Sequence, residues 1–195
     1  PALRSLGIVS ATDNPRLVLH FPVGPTRAAF AAKPVELLDA VLGTGGAGSL
    51  LASLKAEDLA LGVGCEREDR TADHGALFVH ISLTANGRAH TDRVLQLFFA
   101  YARMLQAAPY PLTAFDEHAA FARRDEALVD RGEGAAYAAD LARTALHYPL
   151  ELAERIPYLW LAPDEAAYRH VLGALQPDNL LVALLAPDLP ADRKE

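Results

Sequence analysis

The chain has 195 residues, 51% of them hydrophobic, 22% charged and 7% aromatic, a balance that excludes disordered, collagen-like and coiled-coil chains and is enough to bury a core without staples. Its 18 Lys and Arg against 25 Asp and Glu give a formal charge of −7, and the basic residues are scattered, so no nucleic-acid partner is expected. No apolar run approaches the roughly 20 residues that cross a bilayer, so no membrane partner is expected either.

Arg16 to Val23 is a β-rich run closed by Pro22 and Pro25 and predicts a strand. Val35, Leu38, Val41 and Leu42 then recur at helical spacing behind Pro34, a residue suited to a first turn. The cluster Gly43-Thr44-Gly45-Gly46-Ala47-Gly48 ends that helix, and Ser49 can cap a second, with Leu50, Leu51 and Leu54 inward. Leu59 to Cys65 and Ala76 to Leu83 read as an antiparallel strand pair, joined by a charged loop through Glu66, Arg67, Glu68, Asp69 and Arg70. From Asp92 a long helix puts Val94, Phe98, Tyr101 and Leu105 on one face. Helices over Leu112 to Val129 and Gly134 to Leu146 follow; Ala138, Ala142 and Ala145 in the second form a small-residue stripe that would admit a close helical neighbour. After Tyr148-Pro149, a short helix and one capped near Pro163-Asp164 lead to a last strand, Leu180 to Leu185. The order predicts an α+β two-layer sandwich, a mostly antiparallel sheet packed on helices, in a single domain over residues 1–195.

Chemical motifs are sparse. Gly43, Gly45 and Gly48 satisfy G-x-G-x-x-G, with Glu66 or Glu68 at a suitable distance for a dinucleotide fingerprint. That fingerprint needs a strand to deliver the turn, whereas the preceding segment has helical spacing, so a glycine-rich joint between helices is the stronger expectation. The histidines His20, His74, His80, His90, His118, His147 and His170 include no i, i+4 pair of the zinc-helix type. No serine sits in a G-x-S-x-G elbow, and the single cysteine, Cys65, has no neighbouring base and no partner for an internal disulfide. Gly62 and Gly64, two residues apart in a predicted strand, leave one face bare, so that another backbone can approach and add as a strand; a bulge or a close helix would explain them equally.

Five segments, Gly46 to Lys55, Leu83 to Gly87, Phe115 to Glu117, His147 to Glu151 and Leu175 to Leu180, together resemble the second, non-catalytic domain of the insulinase and pitrilysin family of zinc peptidases. Gly46-Ala47-Gly48-Ser49-Leu50 with Leu54-Lys55 is similar to that family's glycine joint. Leu83-Thr84-Ala85-Asn86-Gly87 resembles its leucine-threonine-x-x-glycine turn, and Phe115-Asp116-Glu117 the phenylalanine-x-glutamate of its middle helix. His147-Tyr148-Pro149-Leu150-Glu151 looks like its tyrosine-proline turn, and Leu175-Gln176-Pro177-Asp178-Asn179-Leu180 its approach to the last strand.

The resemblance implies a domain that helps wall a closed chamber beside an upstream catalytic domain, with a homologous half of the same chain downstream. Zinc would be bound by the upstream domain, with no catalytic residue and no cofactor in this part, and peptides would be the substrates. Matched residue by residue, Gly43, Gly45, Gly46, Leu61, Gly62, Val63, Gly64 and Cys65 would lie at the site that anchors the substrate's N-terminal end, although Gly64-Cys65 stands where some relatives carry a glycine pair. A catalytically dead structural relative is the alternative implied by the same resemblance, and a dinucleotide-binding domain the remote one. The chain begins at Pro1 and its only methionine is Met104, so an excerpt of a longer chain is expected.

Overall fold

In the computed structural model, which describes residues 4–9, 14–69, 71, 73–129, 134–187 and 189, strands β1 (Arg4–Val9), β2 (Arg16–Pro22), β3 (Ala60–Asp69), β4 (Gly75–Leu83) and β5 (Leu181–Ala186) form one sheet in the order β1-β5-β2-β4-β3. β1 runs parallel to β5, and the other neighbours are antiparallel. Period-two alternation sorts the side chains onto two faces. Leu17, Leu19 and Phe21 of β2 and Leu77, Val79, Ile81 and Leu83 of β4 are buried against helices. Val18 and His20 of β2 and Phe78 and His80 of β4 point to the opposite, open face.

The helical layer consists of α1 (Pro34–Gly43), α2 (Leu50–Ala56), α3 (Ala85–Ala89), α4 (Thr91–Ala107), α5 (Leu112–Leu128), α6 (Gly134–Ala145) and α7 (Glu165–Gly173). The Ser49 hydroxyl caps α2 by accepting from the Ala52 amide at 3.0 Å, as its place before three leucines predicts. Asp164 caps α7 in the same way through the Ala167 amide at 2.9 Å. On α4 the buried residues are Val94, Phe98, Ala102 and Leu105, with Tyr101 half-buried beside them. The fold is thus the predicted α+β sandwich.

The motifs behind the family resemblance have mechanical reasons. Thr84 caps α3 by accepting from the Gly87 amide at 2.9 Å, while its own amide donates to Leu59 O at 3.1 Å. Gly87 must be glycine because a Cβ there would lie 2.7 Å from the Leu59 carbonyl carbon. Tyr148 accepts from Arg67 of β3 at 3.1 Å, and the Asn179 amide donates to Pro22 O at 2.9 Å and Ala174 O at 3.0 Å, tying the start of β5 to β2.

The structure departs from the sequence reading in four places. β1 was not anticipated. A short helix, α3, precedes the long one, which starts at Thr91 behind His90 instead of at Asp92. Glu66 to Asp69 continue β3 instead of forming a loop: alternate residues Arg67 and Asp69 turn inward and satisfy each other at 3.0 Å, with Thr26 and Tyr148 as further partners. Arg70, the last residue of that expected loop, lies outside the described residues. Finally, the Ala138, Ala142 and Ala145 stripe packs no helix closely: Ala138 and Ala142 are exposed, and α6 buries no residue.

Candidate functional site

β3 is an edge strand, paired with β4 alone among the described residues. The register slips between Ala60 and Gly62, leaving Leu61 as a bulge residue 63% exposed. Beyond it the ladder places Gly62 beside Ser82 and Gly64 beside His80. A Cβ built on Gly62 meets nothing within 4 Å, and one on Gly64 meets only Asp39 Oδ1, at 3.4 Å. Both glycines therefore leave unfilled space at the edge.

The α1 helix closes on this strand from the helical side. Gly43, its last residue, stands so near β3 that a Cβ would be 3.3 Å from Val63 O. One turn earlier, Asp39 Oδ1 accepts from the Cys65 amide at 2.6 Å. An edge donor is thus already engaged by a carboxylate, and a chain that pairs at Cys65 must displace it. Cys65 itself turns inward; its thiol donates weakly to Val35 O at 3.6 Å. Burial, and then the negative charges of Asp39, Glu36 and Glu66, push that thiol far above its ordinary range, so it is no nucleophile. Gly45 and Gly46 lie on the exposed joint between α1 and α2, and only Gly48 of this cluster needs a left-handed backbone, at φ 81°. Gly43 thus stands against the Leu61–Cys65 strand, at Val63. Because α1, a helix, delivers the Gly43-Gly45-Gly48 turn, the strand-to-helix geometry of a dinucleotide site is not formed.

Further along β3, Arg67 is held by Asp69 at 3.0 Å and by the Tyr148 hydroxyl at 3.1 Å. Burial opposes its charge, yet the bond to Tyr148 and the Glu36 and Asp69 carboxylates keep it above its ordinary range. On the open side His80 Nε2 lies 2.9 Å from Glu66 Oε1, and its Nδ1 is buried with no hydrogen-bond partner among the described residues. That side is a concave, mainly apolar surface of about 1000 Å³ whose floor includes Val18, Phe78, Ala183 and Leu185. Sequence reasoning found the glycines but missed Asp39, Arg67 and His80. For Arg67 the available signal was the charged run Glu66 to Asp69 that directly continues a predicted strand, which a strand carries only with one charged face turned in.

Each histidine is employed locally: for example, His170 Nε2 lies 2.8 Å from Val23 O, His90 Nδ1 2.9 Å from Asn86 O, and His118 stacks on Trp160. Among the described residues no group of three His, Cys, Asp or Glu could hold a metal ion.

Comparison with known proteins agrees with this architecture. Insulin-degrading enzyme-like 2 of Arabidopsis thaliana is 26% identical over 169 residues, covering 85% of this chain and 17% of the relative. Protease 3 of Escherichia coli strain K12 is 25% identical over 182 residues, covering 92% of this chain and 19% of the relative. The chain thus spans under a fifth of the length of these relatives. In the crystal structure of pitrilysin, 20% of that chain superimposes on 97% of this one with a TM-score of 0.89 at 24% identity. The inactive peptidase domain of a putative zinc protease from Bordetella parapertussis matches over 95% of this chain and 97% of its own, with a TM-score of 0.66 at 16% identity. Residues 6–120 match the model of the Peptidase M16 inactive domain, more than half of the chain, and the chain belongs to that family.

Proposed function

We propose that this chain is a wall domain of a zinc-dependent M16 endopeptidase, and that β3 holds an extended peptide by strand addition while another domain of the same protein performs the chemistry. What carries the reading is the placement of Gly62 and Gly64 on an edge strand with unfilled space beside them. Main-chain pairing at such an edge positions a peptide without reading its whole sequence, and orientation of this kind lowers the entropic part of the barrier. Zinc, bound by residues of the upstream domain, would supply Lewis-acid activation of water and of the scissile carbonyl. The domain's partners in this reading are that upstream domain, a homologous downstream half and the peptide itself.

The test is steady-state kinetics of the whole enzyme carrying Gly64→Val or Gly62→Val, with long and short peptides that share a cleavage site. A Cβ at Gly62 meets open space and one at Gly64 only the Asp39 carboxylate, so both variants are expected to fold, which circular dichroism checks. The expected result is a several-fold rise in KM for the long peptide and little change for the short one. Equal changes for both would overturn the anchoring role.

A further inference from the structure

The face of β3 that turns to the open side changes character along its length: bare at Gly62 and Gly64, carboxylate at Glu66 and Glu68. The ladder fixes the neighbours of each position. Gly62 lies beside Ser82, which lies beside Arg16; Gly64 lies beside His80 and then Val18; Glu66 lies beside Phe78 and then His20. Above the glycines is a recess of about 410 Å³ lined by Arg16, Ser82, His80 and Glu66. Those last two residues also border the larger apolar concavity.

We propose that this surface selects peptides by pattern: a large aromatic or aliphatic side chain over Gly62 and Gly64, and Lys or Arg beside Glu66 and Glu68, with an even spacing between them. The inference rests on the anchoring reading above and adds the chemical class of the peptide. A strand laid along β3 turns every second side chain to the open face. A bulky one fills the void beside edge glycines, as cross-strand aromatics do within sheets. Basic ones oppose the carboxylates, where unlike charges across a strand pair attract and like charges repel. The period of two holds for either strand direction, but the order does not: the basic residues follow the bulky one in a peptide parallel to β3 and precede it in an antiparallel one.

The experiment measures fluorescence-anisotropy binding to the full-length protein, with metal chelated so that no peptide is cut. Three labelled peptides of equal length carry Lys-Ser-Lys-Ser-Trp-Ser-Lys-Ser-Lys, which reads alike in both strand directions, the same with Glu for every Lys, or Lys-Ser-Ser-Lys-Trp-Lys-Ser-Ser-Lys, which puts Trp and its two neighbouring Lys on opposite faces, in an otherwise neutral sequence. The first should bind about tenfold more tightly than the second and more tightly than the third. The preference should collapse in the double variant Glu66→Gln, Glu68→Gln, whose side chains are exposed, so its fold is kept and checked by circular dichroism. Equal binding of all three, weakened alike by Gly64→Val, overturns the pattern while leaving β3 as an anchor. Absence of binding by any of them overturns both.

Discussion

Replacing Gly87 by Ala should destabilise the fold far more than a methyl group ordinarily does. The added Cβ would fall onto the carbonyl oxygen of Leu59 and 2.7 Å from its carbon, so α3 and the segment leading into β3 must separate. Overpacking of this kind costs about 1–3 kcal/mol. Separation also strains the Thr84 amide bond to Leu59 O and the Thr84 cap on the Gly87 amide, each worth about 1 kcal/mol. The better helix propensity of Ala returns about 1 kcal/mol, leaving a net loss of about 3 kcal/mol. With a urea m-value of about 2 kcal/mol/M, the unfolding midpoint should fall by about 1.5 M. The control is Gly62→Ala, where nothing lies within 4 Å; removing a strand glycine there should raise stability by about 0.5 kcal/mol. A Gly87→Ala midpoint within about 0.3 M of the parent's would refute the steric account of the leucine-threonine-x-x-glycine turn.

Alkaline titration and thiol reactivity supply further checks. Burial raises Tyr101, Tyr110 and Tyr168, the last to about 12 with Tyr101 as a second cause. Each keeps its proton longer folded than unfolded, so the stability they contribute is complete below about pH 10 and is lost as the pH rises toward 12. Ultraviolet titration of tyrosinate should show a late group among the six tyrosines, with stability falling in that window; a single transition near pH 10 would contradict it. Iodoacetamide should modify native Cys65 orders of magnitude more slowly than the unfolded thiol, and Asp39→Asn, which removes one of the charges that raise it, should speed the reaction. A native rate equal to the unfolded one would refute the buried, anionic setting of that thiol.

The sequence was most legible where one physical rule acts alone. Ser49 before three leucines specifies a capped helix, and the alternation Leu17, Leu19, Phe21 specifies a strand buried on one face. It failed where tertiary partners decide. β1 could not be read from Arg4–Val9 because Leu6 and Ile8 are 53% and 44% exposed and their strand state depends on β5, more than 170 residues away. Glu66 to Asp69 resembled a loop because the partners that make a charged strand tolerable, Thr26 and Tyr148, are distant in sequence. At the candidate site the glycines were legible as bare positions. The carboxylate occupying the Cys65 amide was not, since Asp39 belongs to a helix whose helical spacing says nothing about what its exposed side reaches.

The place of β5 also governs how the chain can be made. Last in order among the described strands, β5 is not at a border of the sheet but between β1 and β2, so until Leu181–Ala186 emerge from the ribosome, β1 lacks its neighbour among the described strands and β2 is paired on one side only. Synthesis can complete the β2-β4-β3 part of the sheet early, but β1 joins it only through the six residues of β5. A nascent or truncated chain ending before Leu181 therefore exposes the strand β1 and the open edge of β2, the condition in which chains aggregate or recruit chaperones.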